Sequence, residues 1–234
     1  QGDNVSKQKY VYNMQLINKT VANSSVSNLK TAIYVQTGGW QEQSGSITAT
    51  VPTKGQLELV YSTALAYGFD SILAFSYYQA SEMTNPTALV NTDGSHHQNY
   101  AYVQKIIADL KGYDKILRKF TCDATTYNNT NDYMNSATTE SYNNFINNSI
   151  LNGISASSSK LIFTRLSNGN EKAVYICNMN DTSASGNVTY SFDSSVKAIV
   201  VFTNGTRTFY DLTSSKSVTL NLGAGQGAFI IASV

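Results

Sequence analysis

In the first half of the chain, apolar residues at helical spacing alternate with short runs that are apolar throughout. The spacing predicts helices over residues 6–22, over a segment that begins near Pro52, and over residues 96–111. Between these helices, residues 32–36 and 71–78 form the apolar runs, which is typical of strands buried on both faces of a sheet. The alternation predicts parallel β/α units whose sheet is covered by helices.

In the second half, short runs rich in β-branched and aromatic residues are separated by turn residues. Seven strands are predicted in this way, at residues 161–166, 172–178, 187–192, 196–203, 207–212, 217–222 and 228–232. The Asn204-Gly205 pair is a strong hairpin signal, and Asn178 is expected to cap a turn through its side-chain amide. Regularly spaced strands of this kind predict an antiparallel β-sandwich.

The two patterns together predict an α/β part followed by an all-β part. We expect an α/β domain in residues 1–117, a connecting segment in 118–158 and the β-sandwich domain in 159–234. The connecting segment is rich in Asn, Ser and Thr, and the spacing of Tyr142 and Phe145 would allow one short helix within it.

Charge and composition exclude two classes of partner. The 16 basic and 15 acidic residues give a net charge of +1, which does not predict a nucleic-acid-binding surface. No run approaches the roughly 18 consecutive apolar residues of a membrane span.

Only 13% of residues are charged, and the abundance of Asn, Ser and Thr in their place is common among secreted bacterial proteins. The sequence begins at Gln1, so we expect a processed product or a piece of a longer chain.

The cysteines and histidines do not predict a metal or cofactor site. Cys122 and Cys177 are too few for a disulfide framework, so they are either independent buried thiols or one bridge. His96 and His97 are adjacent, and adjacent side chains point apart, whereas zinc needs three or four converging ligands. We interpret this pair as the solvated start of a helix and predict no metal and no cofactor.

Several segments, taken in order, resemble the C-terminal part of β-galactosidase-like glycoside hydrolases. Residues 52–68, which run from Pro-Thr to Ala-Leu-Ala-Tyr-Gly, are similar to the helix before the last barrel strand in that family. Residues 75–78, Phe-Ser-Tyr-Tyr, resemble the eighth strand, and 88–94 resemble the lead-in to the eighth helix. Residues 174–178 and 220–230 look like paired segments of the β-sandwich that follows such barrels.

The resemblance covers residues 30–117 well and 160–234 more loosely, and it implies a specific architecture. The chain would hold the last β/α units of an incomplete (β/α)8 barrel followed by an antiparallel β-sandwich, because a whole barrel needs about 250 residues. The protein would be secreted or at the cell surface. An incomplete barrel exposes strand edges and apolar sheet faces, so self-association through it is a further prediction.

Glycoside hydrolysis generally uses two carboxyl groups, and the resemblance implies where each one would lie. The acid/base residue follows the fourth barrel strand, which is outside this chain. The nucleophile ends the seventh strand, where this sequence has Gln36, an amide and therefore a poor nucleophile. Glu42, in the loop that follows, is the candidate catalytic residue, as a displaced nucleophile; the alternative is a solvated loop carboxylate. The same two interpretations apply to Glu82, which follows the eighth strand.

Aromatic and amide side chains at the same end are the candidate carbohydrate-binding residues. Trp40, the only tryptophan, directly follows the first apolar strand, where its ring could lie against a sugar. Tyr78 stands where the family usually has tryptophan, and Tyr77, Gln79 and Gln36 could line the same cleft. The alternative for each aromatic residue is simple packing against the barrel rim or core.

Three functions are compatible with these observations. The first is the C-terminal portion of a secreted glycoside hydrolase-like protein that binds carbohydrate but has no activity as this chain alone. The second is a non-catalytic carbohydrate-binding or scaffold protein, which Gln36 favours. The third is an adhesin-like module built on the sandwich, with residues 119–234 folding and binding a partner on their own.

Overall fold

A computed structural model describes residues 2–26, 29–41, 48–79, 86–128, 140–155 and 160–233. Five helices lie within these ranges: α1 (Gly2–Ala22), α2 (Lys54–Ala66), α3 (Gln98–Lys111), α4 (Asp114–Leu117) and α5 (Tyr142–Asn147). No helix among the described residues has both the length and the apolar character needed to cross a bilayer.

Local capping explains where the helices begin. The Thr53 side chain accepts a hydrogen bond from the Gln56 backbone N–H, and the Gln56 side chain accepts one from the Thr53 backbone N–H, so α2 starts with a complete capping box. At the start of α3, His97 Nδ1 accepts from the backbone N–H of Asn99 at 3.2 Å. The predicted helix starts near Pro52 and at the histidine pair are therefore confirmed.

Two strands of the first half, β1 (Ala32–Gln36) and β4 (Ser71–Phe75), form a parallel pair in register from Ala32 opposite Ser71 to Gln36 opposite Phe75. The short strands β2 (Trp40–Gln41) and β3 (Thr48–Ala49), which lie between β1 and β4 in the sequence, form an antiparallel pair. The described residues thus place two predicted barrel strands side by side and parallel. The remainder of the barrel stays a prediction.

The prediction that β1 and β4 are buried on both faces is wrong. One face packs against α2 and α3 through residues such as Val35 and Ile72. The opposite face is open, with Tyr34 70% and Leu73 40% exposed. The two helices lie on one side of the pair, and nothing in the described part of the chain covers the other. We call this uncovered side the open face.

The second half forms two antiparallel sheets. Their strands are β5 (Thr121–Tyr127), β6 (Leu151–Ile154), β7 (Leu161–Asn168), β8 (Glu171–Asn178), β9 (Val188–Phe192), β10 (Ala198–Thr203), β11 (Thr206–Asp211), β12 (Ser217–Leu220) and β13 (Gly227–Ser233). One sheet has the order β11-β10-β13-β8-β7-β5, and the other has the order β12-β9-β6. All seven predicted strands are present, and Asn204 and Gly205 join β10 to β11 with positive φ angles of 49° and 70°.

Residues 118–158, predicted as a connecting segment, contribute two strands and a helix. β5 pairs with β7 in the larger sheet, β6 pairs with β9 in the smaller one, and α5 is the short helix that the aromatic spacing allows. β5 is rich in threonine. Thr126 is buried, and its hydroxyl is satisfied there because it donates to the Glu140 carbonyl oxygen at 2.9 Å. The domain boundaries at residues 117 and 158 remain predictions.

The larger sheet is covered on both faces. A cluster that includes Phe163, Tyr190 and Ile230 fills the space between the two sheets. On the opposite face, residues of α1 and α2 such as Met14 and Leu59 pack against the larger sheet. The sheets and the helices therefore share apolar cores, and the position of the β1–β4 pair relative to the sheets is set by packing.

Both cysteines are free thiols: Cys177 is buried in β8, and Cys122 lies at the edge of the same apolar cluster. Of the two alternatives, independent thiols is therefore the one that the structure supports. Asn178 caps its turn as predicted, since its Nδ2 group donates to the carbonyl oxygens of Ser183 at 3.0 Å and Gly223 at 2.9 Å.

Candidate functional site

The carboxyl ends of β1 and β4 lie side by side because the two strands are parallel and in register. Loops at this end of β/α units are the ones that carry chemistry. Five of the six predicted site residues lie here, and each is described below. Glu42, the sixth, and Glu82 lie outside the described residues.

Gln36, the last residue of β1, supports the backbone of the loops. Its Nε2 group donates to the carbonyl oxygen of Gly38 at 2.8 Å and to that of Thr50 at 2.6 Å. Both amide hydrogens are therefore used within the chain, and the side chain ties the end of β1 to the segment before α2. A predicted role in substrate binding would fall to its remaining oxygen.

Trp40 belongs to a row of three aromatic rings. Its ring meets Phe75 edge to face, with centroids 5.4 Å apart and planes at 82°. Phe75 meets Tyr34 in the same manner at 6.4 Å and 87°. Trp40 is half-buried, whereas Phe75 is 37% and Tyr34 70% exposed. We call Tyr34, Phe75 and Trp40 the aromatic row; it extends from the open face to the carboxyl end of the strands.

Sequence reasoning did not include Tyr34 and Phe75 among the site residues. The signal for them was the strand period of two, which places alternate residues of a strand on the same face. Because both strands were interpreted as buried on both faces, neither face could be chosen as a ligand surface. The structure shows which face α2 and α3 leave uncovered.

Tyr77, Tyr78 and Gln79 follow β4 and contact a different loop. The Tyr78 hydroxyl donates to the Thr92 carbonyl oxygen at 3.1 Å, and Gln79 Oε1 accepts from the Thr92 backbone N–H at 3.0 Å. Gln79 Nε2 also donates to the carbonyl oxygen of Pro86. Tyr78 and Gln79 thus hold the loop that leads to α3, although the Tyr78 ring is 52% exposed.

Tyr77 lies in a second group of rings. Its ring contacts Tyr100 with centroids 6.5 Å apart, and Tyr100 stacks on His96 at 3.8 Å with planes at 11°. Tyr77 is 58% exposed, so one side of its ring is available to a ligand. The ring contacts therefore place Trp40 in the aromatic row and Tyr77 in this second group.

A buried polar centre fixes the loop that carries Trp40. Asn99, which is fully buried, donates through Nδ2 to the carbonyl oxygen of Thr37 at 3.1 Å and to that of Pro52 at 3.0 Å. The Thr87 backbone N–H donates to the Gly39 carbonyl oxygen, and the Gly39 backbone N–H donates to the Thr87 hydroxyl, both at 2.7 Å. These bonds hold the backbone on both sides of the Gly-Gly turn next to Trp40.

The Gly-Gly turn requires glycine for a close backbone approach. A Cβ at Gly38 would lie 2.0 Å from the Thr87 carbonyl oxygen, a distance at which the backbone would have to move. Neither Thr87 nor Asn99 was identified from the sequence, because Thr and Asn are abundant and a single one carries no signal of burial. Their role follows only from the contacts.

The segments that directly follow β1 and β4, and the segments packed against them, are electrically neutral, whereas Asp93 and His96 lie farther along the loop that leads to α3. The ranges 36–41, 48–52, 75–79 and 86–92 include no Asp, Glu, Lys, Arg or His. Within these ranges there is consequently no pair of carboxyl groups that could act as acid and nucleophile. The surface consists of aromatic faces, amides and hydroxyls, which suits an uncharged polyhydroxylated ligand.

Glu58 on α2 lies outside the candidate site and is not a fully solvated charge. It is half-buried, with Asp109, Tyr113 and Ser62 lining the same small crevice. Burial raises the pKa of its carboxyl group; Lys54 opposes this shift and the charge of Asp109 adds to it. Helical spacing did not reveal this, since the residues that bury Glu58 come from α3 and the larger sheet.

Comparisons with known proteins give only a coarse likeness. No protein-family model matches the sequence, and no curated protein matches it either. Among solved structures, a candidate α-N-acetylgalactosaminidase from Bacillus halodurans C-125 aligns at a TM-score of 0.46 and 11% identity over 97% of this chain. A GH30 endoxylanase from Clostridium papyrosolvens C71 aligns at 0.40 and 12% identity over 96% of it.

A conserved exported protein from Bacteroides fragilis also aligns, at a TM-score of 0.40 and 15% identity over 96% of this chain. The chain spans less than half the length of each of these structures, at 43%, 46% and 43% respectively. Likeness this coarse does not assign an activity to the chain.

Proposed function

We propose that the carboxyl end of the β1–β4 pair binds carbohydrate, and that this chain acts as the C-terminal portion of a secreted glycoside hydrolase-like protein. The aromatic row is the observation that carries the proposal. Exposed aromatic faces bind the C–H surfaces of sugars, and neighbouring amides and hydroxyls can bind the sugar hydroxyl groups. The sequence resemblance of residues 30–117 to the end of a glycoside hydrolase barrel supports the same ligand class.

The chain alone is proposed to bind without cleaving. Gln36 occupies the position of the nucleophile implied by the resemblance, and its amide is engaged with two backbone carbonyls. Glu42 stays the candidate carboxylate of this loop. If Glu42 acts chemically, hydrolysis also needs an acid/base residue from another part of the protein. Purified chain that hydrolyses aryl glycosides would contradict this part of the proposal.

Trp40 fluorescence offers a direct test because Trp40 is the only tryptophan. Neutral xylo-, cello- and galacto-oligosaccharides should be titrated separately into the full chain, and we expect saturable quenching with at least one of them. Phe75→Ala keeps the reporter but removes the middle ring of the aromatic row, so affinity should fall by roughly tenfold.

Phe209→Ala is the matched control, since Phe209 is 66% exposed and lies on β11, outside the aromatic row. It should leave the affinity unchanged. The absence of saturation with every oligosaccharide, or equal losses in the two alanine variants, would exclude the aromatic row as a sugar-binding surface.

The second candidate is a non-catalytic carbohydrate-binding or scaffold protein. The neutrality of residues 36–41, 48–52, 75–79 and 86–92 favours it, because no pair of carboxyl groups lies within these ranges. The two candidates differ at Glu42. Glu42→Gln should abolish the hydrolysis of a longer protein that contains this chain under the first candidate, and under the second there is no hydrolysis to lose.

A further inference from the structure

A cavity of about 490 Å³ lies at the amino-terminal end of β4, away from the carboxyl-terminal loops. Helices α2, α3 and α4 form its walls together with the start of β4, and Leu166 of β7 reaches it from the larger sheet. Sites that bind small molecules usually have volumes of about 300–1,000 Å³, so this cavity has the size of a ligand site.

The walls of the cavity are mostly apolar. Leu65 of α2, Phe69 before β4, and Leu110 of α3 line it with Leu117 of α4. Phe69 and Leu117 are buried, whereas Ile107 is 39% exposed and lies where the cavity meets solvent. An apolar chain entering past Ile107 would leave water for a surface of aliphatic and aromatic side chains, which favours binding.

The charges that line the cavity are unbalanced. Lys111 at the end of α3 and Arg118 after α4 line it, and neither forms an ion pair with any residue that the structure describes. Asp70 also lines it, but its carboxylate is paired with Lys30 at 2.8 Å and accepts from a backbone N–H. Asp114 is the remaining carboxylate, so the two cations exceed it by one positive charge.

We propose that this cavity binds a small amphipathic carboxylate, with an unbranched acyl chain against the apolar walls and the carboxylate at Lys111 and Arg118. One negative charge matches the single excess positive charge. The planar guanidinium of Arg118 suits two parallel hydrogen bonds to a carboxylate, and the Lys111 ammonium adds a third charge-assisted bond. This site is independent of the proposed carbohydrate surface.

Decanoate is the probe, with decanol as its uncharged counterpart. Binding to the full chain is measured by isothermal titration calorimetry, below the critical micelle concentration of decanoate and below the solubility limit of decanol. We expect decanoate to saturate one site and decanol to bind more weakly. Removing both cations with Lys111→Gln and Arg118→Gln should weaken decanoate binding by about tenfold or more, because the charge-assisted hydrogen bonds to its carboxylate are lost. The same variant should leave decanol unchanged.

Lys115→Gln with Lys119→Gln is the matched control: it removes the same charge from exposed residues that do not line the cavity, and decanoate affinity should stay the same. Ile107→Trp should weaken both ligands by narrowing the entrance, whereas Trp40→Ala should affect neither. No saturable binding of decanoate, equal affinities for decanoate and decanol, or equal losses in the two charge variants would overturn the proposal.

Discussion

Replacing Asn99 with leucine is expected to destabilise the fold at the carboxyl ends of β1 and β4. The Asn99 side chain is fully buried, and its Nδ2 group is the donor to the carbonyl oxygens of Thr37 and Pro52 at 3.1 and 3.0 Å. Leucine has a similar size but no donor, so two buried carbonyl groups would lose their partner where water does not replace it.

The size of the effect follows from these two bonds. Leaving a buried polar group unsatisfied costs about 1–3 kcal/mol, and two groups are affected. Asn99 Oδ1 is itself buried and has no partner among the described residues, so its removal offsets part of the cost. We therefore expect the free energy of unfolding to fall by roughly 2–4 kcal/mol.

Urea denaturation followed by circular dichroism measures this change. Asn148→Leu is the control, since Asn148 Nδ2 donates to the Asn144 carbonyl oxygen at 2.9 Å on the exposed side of α5, and its loss should cost at most about 0.5 kcal/mol. Native Trp40 emission should shift to the red only in Asn99→Leu, because that variant frees the loop that carries Trp40. A loss of stability in Asn99→Leu no larger than that in Asn148→Leu would refute the role of Asn99.

Three further predictions concern pH, backbone packing and self-association. Burial raises the pKa of the Glu58 carboxyl group, so the folded chain holds that proton more tightly than the unfolded chain, and stability falls as pH rises from the unfolded to the folded pKa. Thermal melts should therefore show that Glu58→Gln is more stable than the wild type at neutral pH, with the difference shrinking in mild acid; a constant difference would contradict this. Gly225 has φ +68°, and a Cβ there would lie 2.1 Å from a carbonyl oxygen in the first turn of α2. Gly186 is the control, since its φ is +69° but nothing lies within 4 Å of a Cβ built there. Gly225→Ala should therefore lower the free energy of unfolding by much more than Gly186→Ala does. Tyr34 and Leu73 are exposed on the open face, and within the described part of the chain each strand of the β1–β4 pair has an edge without a partner strand. Sedimentation should therefore detect self-association that Tyr34→Ser with Leu73→Ser abolishes; a wild-type monomer at all concentrations would count against it.

Local features of the sequence were sufficient to predict most of the elements. Thr53 and Gln56 cap α2 with groups only three residues apart, so no distant contact is needed for that helix to start there. Asn204 and Gly205 adopt positive φ angles, which asparagine tolerates and glycine adopts freely because it has no Cβ, so this pair encodes the turn from β10 to β11 locally. The parallel pairing of the two apolar runs could also be predicted from their order with the helices, and with it the place of the candidate site at their carboxyl ends.

The tertiary structure decided what each element faces. The two-residue period of a strand predicts that Tyr34 lies on the same face of β1 as every second residue. Only the positions of α2 and α3 show that this face is open, and only the tertiary structure shows that the Phe75 ring contacts both Tyr34 and Trp40. The burial of Asn99 and Glu58 could not be predicted from their helices, because the segments that bury them are distant in the sequence. The physical reason is that hydrogen-bonding and steric preferences of neighbouring residues are encoded locally, whereas burial, desolvation and ligand access depend on which remote surfaces come to lie against a residue.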